Sequence, residues 1–210
     1  MNIVKNAMAT GPVIPVLVID NPDDAVPLAR ALIAGGVRVL EITLRTPRAL
    51  DVIKVLAKEV PQAILAAGTI TTPEQWDAAA KAGAQFAVSP GLTPRLLDAA
   101  RDGGPIALLP GVATASELMV AMDAGFTCFK FFPAQQAGGV ALLKALGGPF
   151  PDALFCPTGG ITAQTAPSFL SLPNVACVGG SWLAPAELIQ GSDWPAITAL
   201  AQAATRLRGA

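Results

Sequence analysis

The sequence predicts an α/β fold: a single-domain (β/α)8 TIM barrel over residues 1–210, with 1–10 as an N-terminal extension. Three observations lead there. Eight short β-rich runs recur at even spacing, the length taken up by one strand, one loop and one helix. Most of the runs are nearly continuous in apolar residues, as in strands buried on both faces under covering helices. The first run ends in Ile19-Asp20-Asn21-Pro22 with no GxGxxG behind it, which disfavours an open doubly wound sheet and leaves the closed barrel.

The strand runs are VIPVLVI (13–19), VRVLEITL (37–44), AILAAGTI (63–70), QFAVSPG (85–91), PIALLPGV (105–112), FTCFKFFPA (126–134), LFCPTGGI (154–161) and VACVGGSWL (175–183). Between them, Thr46-Pro47, Thr72-Pro73 and Thr93-Pro94 each offer a capping hydroxyl before a proline at the first helical position. Thr72-x-x-Gln75 and Thr114-x-x-Glu117 have the capping-box spacing. Helix ends are expected at Gly35-Gly36, Gly83, Gly103-Gly104, Gly125 and Gly147-Gly148. Pro27 predicts a kink in the first helix after a strand, and a closing amphipathic helix is expected from about Trp194 to Arg208.

Composition narrows function. With 210 residues, 52% of them hydrophobic, the chain can bury one large core. Fourteen basic against fifteen acidic residues leave a net charge of −1 and no basic tract, which argues against nucleic-acid and anionic-membrane partners. There is no histidine, so Ser-His-Asp catalysis, His-ligated zinc and His acid–base chemistry are excluded. Proton transfer then falls to carboxylates, lysines, cysteines or water. Cys128, Cys156 and Cys177 are scattered without CxxC spacing and are expected as buried thiols in a reducing compartment, with no metal role. Mean hydropathy is +0.53. The uncharged stretch 153–186 is nevertheless broken by Pro157, Pro167, Pro173 and Pro185, and MNIVKNAMAT has no apolar leader core, so a soluble cytoplasmic protein is expected.

Two charges fall within the cores of the strand runs, Glu41 in VLEIT and Lys130 in CFKFF. A buried charge costs several kcal/mol to desolvate unless it is paired or functional. A strand's period of two puts Glu41, Thr43 and Arg45 on one face and Leu40, Ile42 and Leu44 on the other. The apolar set must meet the helices, so Glu41 and Arg45 face the barrel axis. Lys130, which shares its parity with Cys128 and Phe132, is expected to face the same interior. A lysine among phenylalanines favours the free amine, which attacks a carbonyl to give a Schiff base. Glu41 is then the proton carrier, and Arg45 can clamp a carboxylate. The competing reading is a buried Glu–Lys pair that only fixes the fold. Thr69 follows Ala66, Ala67 and Gly68, small residues that leave room for a ligand. Thr158-Gly159-Gly160 and Gly179-Gly180-Ser181 end the last two runs, where barrels often bind phosphate on bare N–H groups and a helix N-terminus; tight turns are the alternative.

The motifs GGVRVLEITLRT (35–46), AGTI (67–70), AQFAVSPGLT (84–93), FKFFPA (129–134), FCPTGGI (155–161) and GGSWL (179–183) closely resemble those of the class I 2-keto-3-deoxy-6-phosphogluconate (KDPG) aldolases, which include 4-hydroxy-2-oxoglutarate (KHG) aldolases. The likeness runs from about Pro12 to Trp194. It implies a lyase with Lys130 as the Schiff-base lysine and Glu41 as general acid/base. It also implies that Arg45 and Thr69 hold the pyruvyl carboxylate, that Phe132 packs beside the imine, and that Pro90 shapes the pocket. Thr158, Gly159, Gly160, Gly180 and Ser181 would bind the phosphate end, away from Arg45. No metal or other cofactor is implied, and the family resemblance suggests a homotrimer acting on a small 2-keto acid. Gln135 departs from an acidic residue of the family pattern, and Gln136-Ala137 also differ, which bears on substrate preference. The galactonate-derived epimer as substrate, another phosphate-handling barrel and a non-catalytic scaffold are the rival readings.

Overall fold

The computed structural model describes residues 3–207. Its strands are β1 (Val13–Leu17), β2 (Val39–Thr43), β3 (Ile64–Gly68), β4 (Phe86–Val88), β5 (Ala107–Leu109), β6 (Gly111–Val112), β7 (Cys128–Phe131), β8 (Leu154–Pro157) and β9 (Val178–Gly180). All fall inside the eight apolar runs, with β5 and β6 sharing one run, and all pair in parallel. The helices are α1 (Ile3–Ala9), α2 (Ala25–Ala34), α3 (Ala49–Glu59), α4 (Pro73–Ala82), α5 (Pro94–Arg101), α6 (Ala115–Asp123), α7 (Gly139–Leu146), α8 (Ala166–Leu170), α9 (Ala186–Gln190) and α10 (Trp194–Thr205). Arg208, expected at the end of α10, lies outside the described residues.

The ladder differs from the continuous eight-strand one that was expected. A six-stranded sheet runs β5-β4-β3-β2-β1-β9, and a three-stranded sheet runs β6-β7-β8. The first break falls at Pro110, which has no N–H to donate. Before it, β5 pairs with β4; after it, β6 pairs with β7. The Gly111 N–H faces back toward the end of β4, where Ser89 Oγ accepts it at 3.2 Å. Between β8 and β9 only isolated bridges are made, Phe155 with Val175 and Thr158 with Gly179.

Two caps hold as expected. Thr93 accepts from the Leu96 N–H, and Thr114 with Glu117 closes a full capping box. Thr72 also caps α4, but Gln75 Oε1 accepts from the Thr71 N–H at 2.8 Å, one residue upstream of the box geometry. Thr46 is not a cap: α3 starts at Ala49, and Thr46 Oγ1 instead donates to the Ile19 carbonyl at 3.1 Å, tying the end of one strand loop to the next. Pro27, where a kink is expected, does not interrupt α2. Pro27 is the third residue of α2, in the first turn, where its missing N–H has no helical partner to lose. A 3-10 turn over Pro22–Asp24 leads into it.

The strands divide two cores by parity. Outward side chains such as Leu40, Ile42, Phe129, Phe131 and Phe155 meet the helices. Phe155 packs against Phe129 and Phe131 at ring-centroid distances of 5.8 and 6.4 Å. Inward side chains, among them Ile14, Val39, Phe86, Leu109, Cys128, Cys156 and Cys177, form a second cluster. This inner cluster also holds Val4, Ala7 and Met8 of α1. Residues 1–10, expected as an extension, thus include a helix packed against the inner core. Burying a side chain such as Met8 contributes about 1.5–3 kcal/mol. Two residues further along β2 and β7 from Val39 and Cys128 stand Glu41 and Lys130, so the inner layer turns from apolar to charged.

The three cysteines are buried and form no disulfide. Burial pushes the Cys128 thiol up, against smaller opposite effects from Thr127 and Lys5. The thiolate is the reactive form, so at pH 8 the native protein should leave Cys128 unlabelled by a thiol reagent that modifies it fast after unfolding. Rapid native labelling of the Cys128 peptide would contradict this. Among the described residues no helix is long and apolar enough to cross a membrane.

Candidate active site

Glu41 sits on β2 in register with Val16 and Ala66, and Lys130 on β7 in register with Gly111 and Cys156. The two residues come from different sheets and meet inside. Lys130 Nζ donates to Glu41 Oε1 at 2.9 Å, with side chains only 6% and 4% exposed. The surroundings of Lys130 differ from those expected. Phe129 and Phe131 turn outward, as their parity requires, so the amine faces a carboxylate instead of a cage of phenyl rings. One ring remains near: Phe132 lies with its centroid 5.5 Å from Nζ.

Gly68 has a use that the sequence reading did not assign. A Cβ at Gly68 would overlap the Glu41 carboxylate. Gly68 therefore leaves space for the Glu41 carboxylate. Gly68→Ala should displace the Glu41 side chain from Lys130 and lower kcat by about 10²-fold, the cost of roughly an ångström of misplacement. Steady-state kinetics on the variant check this, and an unchanged kcat would show that Glu41 tolerates the shift.

Thr69 follows at φ 62°, a left-handed conformation rare for a β-branched residue. Such strain concentrates at functional sites. Thr43, between Glu41 and Arg45, is held by an Oγ1 bond to the Leu17 carbonyl at 2.9 Å. Pro90 packs by its backbone against Gly111, where a side chain would overlap it, and Gly111 is the register partner of Lys130. Pro90 is thus one strand away from the amine.

A cleft of about 380 Å³ opens beside the pair, lined by Arg45, Phe132, Gln136, Thr158, Gly159, Gly160, Gly180 and Ser181 among others. Phe132 belongs to both places, touching the cleft and standing over Lys130. The structure therefore brings Arg45 into one cavity with the glycine turns, although the sequence reading set it at the far end of the substrate. Arg45 is the one charged side chain among the lining residues.

The turns themselves have packing reasons. Gly159 and Gly160 adopt φ of 109° and 72°, which favours glycine. A Cβ at Gly179 would overlap Thr158, and one at Gly180 would overlap the Trp182 ring. Thr158 is buried and turns its hydroxyl back toward the Cys156 carbonyl at 3.4 Å. The expected helix N-terminus does not reach the turns. The next helices, α8 and α9, begin only at Ala166 and Ala186.

Among the described residues no three or more of His, Cys, Asp and Glu stand together as a metal site. A model of the KDPG and KHG aldolases matches residues 4–200 of the chain. The chain belongs to the KDPG and KHG aldolase family. It is 58% identical over 200 residues to the 2-dehydro-3-deoxy-phosphogluconate aldolase of Pseudoalteromonas atlantica, covering 95% of this chain and 93% of that one. It is 53% identical, with the same coverage, to the KHG/KDPG aldolase of Escherichia coli. The KDPG aldolase of Legionella pneumophila, solved with pyruvate captured at low pH as a covalent carbinolamine intermediate, superposes with a TM-score of 0.93 at 50% identity, covering 96% and 97% of the two chains. As a member of the KDPG and KHG aldolase family the chain is an aldehyde-lyase.

Proposed function

We propose that the chain cleaves KDPG to pyruvate and D-glyceraldehyde 3-phosphate through a Lys130 imine, with KHG, which gives pyruvate and glyoxylate, as a second substrate. The observation that carries this reading is the buried Lys130–Glu41 contact at 2.9 Å beside an open cleft. Lys130 attacks the C2 ketone, and Glu41 takes and returns the protons that carbinolamine formation and dehydration require. Glu41 then accepts the proton of the C4 hydroxyl as the C3–C4 bond breaks. That bond's electrons pass to the iminium, giving an enamine on Lys130. Protonation at C3 and hydrolysis release pyruvate and restore the amine. The carbinolamine of the Legionella relative supports the first of these steps here.

Arg45 and Thr69 hold the carboxylate, and Phe132 and Pro90 wall the imine. Gly159, Gly160, Gly180, Ser181 and Thr158 surround the phosphate, with N–H groups and the Ser181 hydroxyl as donors. The iminium takes the electrons that a metal would otherwise stabilise. Exhaustive chelation should therefore leave the rate unchanged; loss of turnover restored by zinc would sink this part of the reading.

The two sheets are read as halves of one (β/α)8 barrel. The continuity of β5 with β6 across Pro110, the Thr158–Gly179 bridge and the meeting of Glu41 with Lys130 support that closure. The family resemblance supports a homotrimer, which a light-scattering mass near three times 21.3 kDa would bear out. A reducing, cytoplasmic setting accords with three buried thiols. Pyruvate release from KDPG, its galactonate-derived epimer and KHG, measured side by side, tests the substrate. KDPG should have the highest kcat/KM. A faster epimer would move the substrate assignment, and release from none of the three would end the aldolase reading.

A further inference from the structure

The adjacent glutamines after the lysine strand, Gln135 and Gln136, have separate surroundings. The stem of Gln135 packs against Gly160, and its Oε1 points toward Gly139 at the start of α7. Gln135 does not line the cleft. Gln136 does, and its Nε2 lies 3.4 Å from where a Cβ of Gly160 would stand. A carboxamide nitrogen is a two-proton donor without charge. It stands at the rim that Gly160, Gly180 and Ser181 form, with Arg45 lining the same cavity. Thr158, by contrast, has its hydroxyl turned back into the strand.

We propose that Gln136 is a specificity-determining residue, donating its amide N–H to an oxygen of the distal phosphate and so favouring phosphorylated over unphosphorylated keto acids. The inference rests on the aldolase reading above. Its chemistry is that of a hydrogen bond to an ionised acceptor, stronger than a neutral one. With Arg45, the one charged lining residue, engaged by the substrate carboxylate, a neutral donor adds attraction for the phosphate dianion, whereas a carboxylate at the same place would repel it. Of Gln135, Gln136 and Ala137, the one lining the cleft is Gln136, and Gln135 supports the turn.

The test compares KDPG with 2-keto-3-deoxygluconate, the same carbon chain without the phosphate, in the full-length enzyme. The readout is the ratio of the two kcat/KM values. Gln136→Ala should lower that ratio about tenfold, the lower end for loss of one charge-assisted hydrogen bond. Gln136→Glu should lower it further, and Gln136→Lys should hold or raise it. A ratio within twofold of the parent in all three variants would overturn the proposal, as would parallel losses on both substrates. Borohydride trapping of pyruvate on the parent separates the two readings. If pyruvate is trapped but the ratio does not move, the Gln136 role fails alone; if nothing is trapped, the aldolase reading fails first.

Discussion

Lys130→Ala should lose nearly all pyruvate release, by about four orders of magnitude or more, since a covalent nucleophile has no substitute. The loss should lie in kcat. Folding will suffer too, because the change leaves Glu41 as an uncompensated buried charge, a defect that typically costs about 3–5 kcal/mol. A double variant, Lys130→Met with Glu41→Gln, removes both charges and should melt closer to the parent while staying inactive. This pair of measurements separates the catalytic from the structural reading of the ion pair. If the contact served only the fold, the stable double variant would keep its turnover.

Glu41→Gln is expected to slow both imine formation and C3–C4 cleavage by ~10²- to 10⁴-fold, the range for a lost general acid/base. Gln keeps the shape of Glu and can still accept from Lys130 Nζ, so pyruvate should still bind at Arg45 and Thr69. Rapid-quench measurement of imine formation and steady-state retro-aldol rates check the two steps separately. An unchanged rate would reduce Glu41 to a partner that holds Lys130 in place.

Much of this site was legible in the sequence because strand parity is a strong constraint. Two charges within strand cores had to face the interior, and the structure brings Glu41 and Lys130 to 2.9 Å. Parity also fixed Leu40 and Ile42 as outward, and they are fully buried under the helices. The same rule, pressed further, would have removed Phe129 and Phe131 from the lysine's surroundings. Gly68 was readable in part: it lies one strand over from Glu41 and on the inward parity, yet only the packed structure shows that the carboxylate fills the space its missing Cβ leaves.

Other features were hidden for definite reasons. The nearness of Arg45 to the glycine turns was hidden because β2 and β8 are brought together only by the fold. Pro110 looked like one more residue of an apolar run, but its missing N–H marks where that run changes partner from β4 to β7. The core role of α1 had a signal in Val4, Ala7 and Met8, apolar at helical spacing, yet a segment of about two turns is too short for periodicity to decide. Thr46-Pro47 carried the same local pattern as two true caps; the long-range bond to Ile19 outcompeted it.

The central claim is that Lys130 forms the imine. The most direct measurement is reduction by borohydride in the presence of pyruvate, followed by peptide mapping by mass spectrometry. The enzyme should be inactivated, with a single reduced pyruvyl adduct on the peptide carrying Lys130 and none in the absence of pyruvate. An adduct on Lys144 or another lysine with Lys130 unmodified, or no adduct with an active enzyme, would contradict it.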